Sequence, residues 1–202
     1  MSHPKKERSF VILKPDAVQR SLIGEITQRI ERLGYKLVAA KFVVPTEEQL
    51  WQHYHKTDEW FIKKGQAIID RKTAKGLPVE KEAIEYGKDI IRGTIKFMMA
   101  GPVLAMVWEG NQSVAVIKKL VGATDPLSSD VGTIRGDYSL DSFAIVEHDD
   151  RGTVRNLIHC TDGDAAEYER EVNIWFKPEE IIDYRHIQEA MLYDVNLDGI
   201  LE

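Results

Sequence analysis

The sequence predicts a mixed α+β fold, and two observations support this class. Apolar runs that are typical of strands alternate with segments whose apolar residues follow helical spacing. The connections include both hairpin-like and crossover lengths, and no internal repeat is visible, which favours one mixed sheet covered by helices. With 202 residues, 43% of them hydrophobic, the chain is long enough for one domain with a substantial core.

Five short segments have the composition of β-strands. They are rich in apolar, β-branched or aromatic residues, and several are bounded by proline, which cannot donate a hydrogen bond to a strand ladder. The run VLAMVW is apolar on both faces and therefore predicts a central strand. The predicted strands are residues 9–13, 35–44, 103–108, 139–144 and 156–159.

Five segments predict helices. In the first, Ile23, Ile26 and Ile30 share one helical face, and Gly34 follows where a C-terminal cap is typical. In the second, Thr46 precedes acidic residues and is a typical N-terminal cap. The predicted helices are residues 22–32, 46–54, 90–99, 111–121 and 165–176.

Three stretches interrupt this pattern. Residues 58–88 contain three glycines and a proline among weakly amphipathic pieces, and they predict a surface excursion that contributes little to the main core. Residues 122–137 form a long predicted loop with three glycines and one arginine, and loops of this length are usually functional. Residues 141–154 lengthen the connection before Asn156 and predict a solvated ribbon.

Charge and cysteine content exclude several classes of protein. The chain carries 27 lysines and arginines against 33 aspartates and glutamates, so no overall basic field attracts it to nucleic acid. The single cysteine, Cys160, excludes an internal disulfide and fits a reducing compartment. The apolar run 10–13 is too short for a signal peptide or a membrane span. We expect a cytoplasmic protein without membrane association.

Three polar residues lie where predicted strands meet loops: Lys14, Arg135 and His159. Glycines flank Arg135, so backbone N–H groups and the guanidinium could converge on phosphate oxygens, although a solvated turn explains this pattern equally well. His159 follows two apolar residues, which places its ring at the edge of a core. The other histidines have the patterns of packing or surface residues. The sequence contains neither a P-loop nor a Rossmann glycine motif.

Four segments together resemble the nucleoside diphosphate kinases. They are VILKPDAVQR at 11–20, GPVLAMVWEG at 101–110, GTIRGD at 132–137 and NLIH at 156–159. The similarity extends from about Arg8 to Tyr193. The resemblance implies a ferredoxin-like α+β sandwich with a mostly antiparallel sheet. It also implies a single domain, residues 1–202, with insertions at about 59–89 and 141–154 and a C-terminal tail at 194–202.

The resemblance further implies an activity. The family transfers the γ-phosphoryl group of a nucleoside triphosphate to a nucleoside diphosphate by a ping-pong mechanism, here through a phosphohistidine on His159. A neutral imidazole is available at pH 7 because its ordinary pKa is about 6.5, so one ring nitrogen can attack while the other is oriented. Mg²⁺ would be held mainly by nucleotide phosphates rather than by dedicated protein ligands. Homo-oligomer formation is also implied.

The same resemblance assigns roles to residues that match the family pattern. Glu171 would hold the ring of His159, with Thr161 behind it, and Glu171 is chosen because it keeps its spacing to Trp175. The remaining assignments are Lys14, Arg135 and Lys118 to the phosphates, Thr124 as a hydroxyl donor, Asn156 to the ribose, and Tyr54 near the histidine and lysine. The sequence departs from the family at Lys118, where arginine is usual, and at Cys160, where glycine or alanine is usual.

The residue that stacks on the nucleobase is left open by the first insertion. Alignment from the left assigns this role to Phe61, with Trp60 beside it, whereas alignment from the right assigns it to Ile90. The main rival hypothesis is a nucleotide-binding regulatory or scaffold protein that has lost turnover. An intact set of matching polar residues favours an active enzyme: Lys14, Tyr54, Arg135, Asn156 and His159.

Overall fold

The computed structural model describes residues 6–149, 152–188 and 198. Its strands are β1 (Glu7–Leu13), β2 (Lys36–Val43), β3 (Val103–Gly110) and β4 (Ile158–Cys160). They form one sheet in the order β2-β3-β1-β4, and every neighbouring pair is antiparallel. The predicted α+β class with a mostly antiparallel sheet is confirmed.

Helices cover both faces of this sheet. They are α1 (Pro15–Gln19), α2 (Ile23–Glu31), α3 (Glu47–His53), α4 (Asp58–Ala74), α5 (Ala83–Met98), α6 (Ser113–Val121), α7 (Ile134–Tyr138), α8 (Phe143–Asp149) and α9 (Ala165–Trp175). None of the described helices is long and apolar enough to cross a membrane. The predicted tail, 194–202, lies outside the described residues apart from Asp198.

Strand β1 lies between β3 and β4 and is buried on both faces. Phe10 and Ile12 belong to one core, which includes residues of α3, α5 and α9. Val11 and Leu13 belong to the other, which includes residues of α2 and α6, because successive strand residues point to opposite faces. The strand therefore delivers the next residue, Lys14, to the interior at one end of the sheet.

The predicted surface excursion at 58–88 is largely helical, and the prediction that it contributes little to the core is wrong. Phe61 and Tyr86 are buried, and Phe61 belongs to the core that includes α3, α5 and α9. The backbones of α4 and α5 touch at two glycines. A Cβ atom at Gly65 would lie 1.6 Å from the carbonyl oxygen of Ala83, and one at Gly87 would lie 2.1 Å from that of Phe61.

The predicted strand at 139–144 is also wrong, because α8 begins within it. The N–H of Phe143 donates to the carboxylate of Asp125 over 3.2 Å, so a residue from a preceding loop satisfies the start of this helix. Val146 is buried on its inner face, whereas Phe143 and Ile145 remain exposed. A short helix therefore lies within the segment 141–154, where a solvated ribbon was predicted.

Candidate active site

A cavity of about 1260 Å³ opens beside the end of β1 and β4. It is lined by eight of the residues that the sequence assigned to a site: Lys14, Tyr54, Lys118, Thr124, Arg135, Asn156, His159 and Glu171. Three of them come from the ends of neighbouring elements, since Lys14 follows β1, His159 lies on β4 and Arg135 lies on α7. The structure thus brings together residues that are widely separated in the sequence.

His159 is held by a buried carboxylate. Nε2 of its ring lies 2.5 Å from Oε1 of Glu171, and Oε2 of Glu171 accepts a hydrogen bond from the hydroxyl of Thr161 over 2.7 Å. Glu171 is only 1% exposed and lies on the inner face of α9. A hydrogen bond to a carboxylate places the proton on Nε2, so Nδ1 keeps its lone pair. This arrangement suits a histidine that reacts through Nδ1.

Lys14 is buried at the inner end of the cavity. Its ammonium donates to Oδ1 of Asn156 over 2.6 Å, and the amide nitrogen of Asn156 donates to the backbone carbonyl of Thr124 over 2.8 Å. Burial, together with the positive charge of Arg135, lowers the pKa of Lys14 to about 8. The lysine is therefore poised to gain from an anionic ligand.

Arg135 is fixed by backbone carbonyls rather than by solvent. Nε donates to Asn156, Nη1 to Gly122 and Ala123, and Nη2 to Ile158, over 2.6 to 3.2 Å. The side chain is 6% exposed, so the solvated turn that the sequence left open is excluded. Neutral carbonyls leave its positive charge uncancelled, and burial lowers its pKa.

The backbone between Asn156 and His159 has an unusual conformation. Leu157 has a φ of 67°, in the left-handed region that non-glycine residues seldom adopt. Its N–H donates to Oδ2 of Asp16 over 3.1 Å, and its carbonyl accepts from the N–H of Lys14 over 2.8 Å. Asp16, whose pKa is raised by burial, is a supporting residue that sequence reasoning missed.

Two further polar side chains, Tyr54 and His53, lie near the ring of His159. The hydroxyl of Tyr54 is buried without a hydrogen-bond partner among the described residues, and burial raises its pKa, so it remains a neutral donor. The ring of His53 lies 4.6 Å from that of His159, and its Nδ1 accepts from the indole N–H of Trp175 over 3.4 Å. Burial lowers the pKa of His53 well below its ordinary value. The sequence assigned His53 to packing or the surface because nothing local indicates these distant partners.

Lys118 and Cys160, which both depart from the family pattern, lie at the cavity wall. The ammonium of Lys118 donates to a carboxylate oxygen of Asp162 over 2.5 Å, an ion pair that sequence reasoning also missed. Burial raises the pKa of the Cys160 thiol to about 11, which keeps it protonated and unreactive.

The three candidates for the base-stacking residue lie in different environments. Phe61 is 7% exposed, belongs to the core and does not line the cavity. Trp60 and Ile90, the two alternatives, do line it. Because adjacent helix residues point in different directions, α4 directs Phe61 inward and Trp60 to the cavity.

The carboxylates that line the cavity are compatible with a metal ion that enters the site already bound to a phosphate ligand. Most of them already bind cationic or polar partners: Asp162 binds Lys118, Glu167 binds Arg170 and Glu171 binds His159. Among the described residues, one group could hold a metal ion, and it consists of His53, His159 and Glu171. Two of its three donors are nitrogen atoms, so it does not suit Mg²⁺, which prefers oxygen ligands. Mg²⁺ held mainly by phosphate oxygens is compatible with this set.

Comparisons with known proteins agree with this geometry. The sequence profile described as nucleoside diphosphate kinase matches residues 7–69 and 61–181. The nucleoside diphosphate kinase of Pyrobaculum aerophilum is 41% identical over 182 residues, which cover 88% of this chain and 98% of that protein. Nucleoside diphosphate kinase B of Mus musculus is 38% identical over 188 residues, with 93% and 97% covered.

Solved structures of nucleoside diphosphate kinases also resemble this chain. An NDP kinase from Pyrobaculum aerophilum matches with a TM-score of 0.79 and 38% identity, over 88% of this chain and 100% of that one. A transition state mimic of the Borrelia burgdorferi enzyme, with bound vanadate and ADP, matches with a TM-score of 0.73 and 34% identity, over 93% and 96%. These matches span most of the chain, which therefore belongs to the nucleoside diphosphate kinase family of phosphotransferase enzymes.

Proposed function

We propose that this enzyme transfers the γ-phosphoryl group of a nucleoside triphosphate to a nucleoside diphosphate through a phosphohistidine on His159. The observation that carries the proposal is the hydrogen bond between Nε2 and Glu171, which leaves Nδ1 with a free lone pair in a cavity that two buried cations, Lys14 and Arg135, also line. Two related kinases bind compatible ligands: the Borrelia burgdorferi enzyme binds ADP with vanadate, and the Halobacterium salinarum enzyme, 35% identical with a TM-score of 0.68 over 93% of this chain and 99% of that one, binds CDP.

The reaction has two symmetrical halves. In the first, the lone pair of Nδ1 forms a bond to the γ-phosphorus, and the bond to the bridging oxygen breaks. The electron pair leaves with the β-phosphate of the diphosphate product. In the second half, a β-phosphate oxygen of another diphosphate attacks the phosphorus, and Nδ1 recovers its lone pair. The proton on Nε2 stays with the ring throughout, held by Glu171.

Charge neutralisation supplies most of the catalysis in phosphoryl transfer. Lys14, Arg135 and Lys118 would contact the phosphates, and the unpartnered hydroxyl of Tyr54 would donate to a transferring oxygen. When bound, Mg²⁺ neutralises charge on the β and γ oxygens. Thr124 would donate its hydroxyl to the phosphates, and Asn156 would contact the ribose.

The outer part of the cavity would bind the base. Trp60 offers an aromatic face there, and stacking on such a face accepts any base, so we expect broad nucleotide tolerance. We also propose that residues 1–202 form one domain that assembles as a homo-oligomer and acts in the cytoplasm. The two insertions, at about 59–89 and 141–154, would then be additions to the catalytic domain.

Transfer of label from γ-labelled ATP tests the proposal. With magnesium, the purified protein should acquire an acid-labile, alkali-stable label that a nucleoside diphosphate then removes. His159→Ala should abolish the label, whereas His55→Ala, which alters an exposed histidine outside the cavity, should retain it. Absence of label in the unaltered protein would support the scaffold hypothesis instead, and label on His159→Ala would place the nucleophile elsewhere.

A further inference from the structure

One face of α4 lines the cavity with basic residues that the proposed reaction does not use. Lys64, Ile68, Arg71 and Lys75 follow each other at helical spacing, and Lys72 lies beside them. All five line the cavity. This face belongs to the first insertion, which matches no motif of the sequence analysis.

The positive charge of this face is only partly compensated. The carboxylate of Glu147, on α8, pairs with Arg71. Lys64, Lys72 and Lys75 have no carboxylate partner within 4 Å among the described residues, and we call these three the basic row. Lys64 lies 6.0 Å from the centre of the Trp60 ring and Lys72 lies 5.7 Å from that of Tyr86.

The other carboxylates that line the cavity have partners of their own and do not pair with the basic row. Asp162, Glu167 and Glu171 pair with Lys118, Arg170 and His159, and the carboxylate of Asp164 caps α9. The chain as a whole carries a formal charge of −6, so this wall has the opposite sign to the rest of the protein. A cleft lined by one sign of charge concentrates field lines and raises the association rate of an oppositely charged ligand about 10-fold to 1000-fold.

Helix stability alone does not explain the arrangement. Cations near the last turn of a helix, such as Lys72 and Lys75, interact favourably with the helix dipole. Lys64 lies in the middle of α4, where this effect is absent, yet it faces the same cavity. The three lysines line one cavity without a carboxylate partner among the described residues, so this wall is suited to an anionic ligand.

We propose that the basic row is a capture surface for the polyphosphate of incoming nucleotides, which then move inward to Lys14 and Arg135. The inference rests on the proposed function, because that function supplies the anionic ligand. The outer cations attract the nucleotide without holding it, and the buried cations bind it for reaction. Because the row is exposed to solvent, its effect is screened by salt, with a Debye length of about 10 Å at 0.1 M ionic strength.

Stopped-flow association of a fluorescent ADP tests the capture surface directly. We compare the unaltered protein with Lys64→Gln/Lys72→Gln/Lys75→Gln and with a control, Lys63→Gln/Lys96→Gln/Lys119→Gln. The control removes the same charge from exposed lysines that do not line the cavity. At low salt the basic-row variant should associate about tenfold more slowly, within the range expected for charge steering, and the difference should shrink as salt rises. The control should remain within about twofold of the unaltered protein.

Equal association rates in all three proteins, or equal losses in both variants, would overturn the proposal. Because Lys72 contacts Tyr86, a second variant, Lys64→Gln/Lys75→Gln, guards against misfolding, and it should show a smaller loss with an unchanged melting temperature. A loss that does not depend on salt would assign the row a structural role. The association rate does not require turnover, so failure of phosphohistidine formation and failure of capture give separate results.

Discussion

Glu171 binds His159 by one edge of its ring, with Oε1 at 2.5 Å from Nε2. The same carboxylate binds Thr161 through its other oxygen, so its orientation is fixed from both sides. The consequence is that one ring nitrogen carries the proton and the other keeps its lone pair.

Glu171→Gln should slow phosphorylation of His159 by about tenfold to a hundredfold. The amide keeps the size of the side chain but loses its charge, and hydrogen bonds to charged groups contribute about 1.5–3 kcal/mol. Single-turnover labelling from γ-labelled ATP measures this rate. Glu169→Gln, on the exposed face of the same helix, is the control and should leave it unchanged. A normal rate in Glu171→Gln would contradict the assigned tautomer.

The fall of kcat/KM at alkaline pH should reflect deprotonation of Lys14. Its pKa of about 8 lies below the usual value of 10.5, so the ammonium loses its charge as pH rises through about 8 and kcat/KM should fall. Lys14→Arg keeps its charge and should move this limb to higher pH, even if its overall rate is lower. The unfolded chain keeps the proton up to about pH 10.5, so this group should make the free energy of unfolding rise between about pH 8 and 10.5. An unchanged limb in Lys14→Arg would assign it to another group.

Tyr54→Phe should separate activity from stability. The substitution removes a buried hydroxyl that has no partner among the described residues. An unpaired buried polar group costs about 1–3 kcal/mol, so the melting temperature should stay constant or rise. Labelling of His159 should slow about tenfold, because a donor to the phosphoryl group is lost. A lower melting temperature with normal labelling would show a structural role instead.

Trp60→Ala should weaken nucleotide binding, whereas Phe61→Ala should lower the stability of the fold. Loss of a stacking face costs about 1–3 kcal/mol, so Trp60→Ala should raise KM for nucleotides about 5-fold to 150-fold with little change in stability. Phe61→Ala should lower the free energy of unfolding by about 3–5 kcal/mol, because it leaves a cavity in the core. Steady-state kinetics and chemical denaturation measure the two effects. If only Ile90→Ala raises KM, Ile90 is the base contact.

Much of the fold was predictable because local patterns and tertiary packing agree there. Strand β3 is apolar on both faces, as a central strand requires, and the apolar stripe of α2 marks its buried side. The start of α8 was not predictable, because the N–H of Phe143 is satisfied by Asp125 from another loop. The apolar and aromatic residues within 139–144 favoured a strand, and tertiary contacts overrode that preference.

The residues of the site were likewise predictable where a local motif marks them, and not where tertiary contacts decide their environment. The family motifs indicated His159 and Lys14 correctly as neighbours of one cavity. His53 is buried, as a packing role predicts, but its partner Trp175 lies 122 residues away and no local signal marks that contact. The choice between Trp60 and Phe61 depended on how α4 is rotated, which a weakly amphipathic helix does not reveal. These side chains are adjacent in sequence and differ in environment only after packing.

The close approach of α4 and α5 at Gly65 and Gly87 couples two distant parts of the cavity wall. Since the helix backbones touch there, neither helix has room to slide or roll against the other. Trp60 lies near the start of α4, and Lys75 lies directly after its end. The paired helices α4 and α5 therefore hold both residues in one rigid unit. A single methyl group at position 65 would act as a wedge, tilting aromatic and basic groups together without replacing any of them.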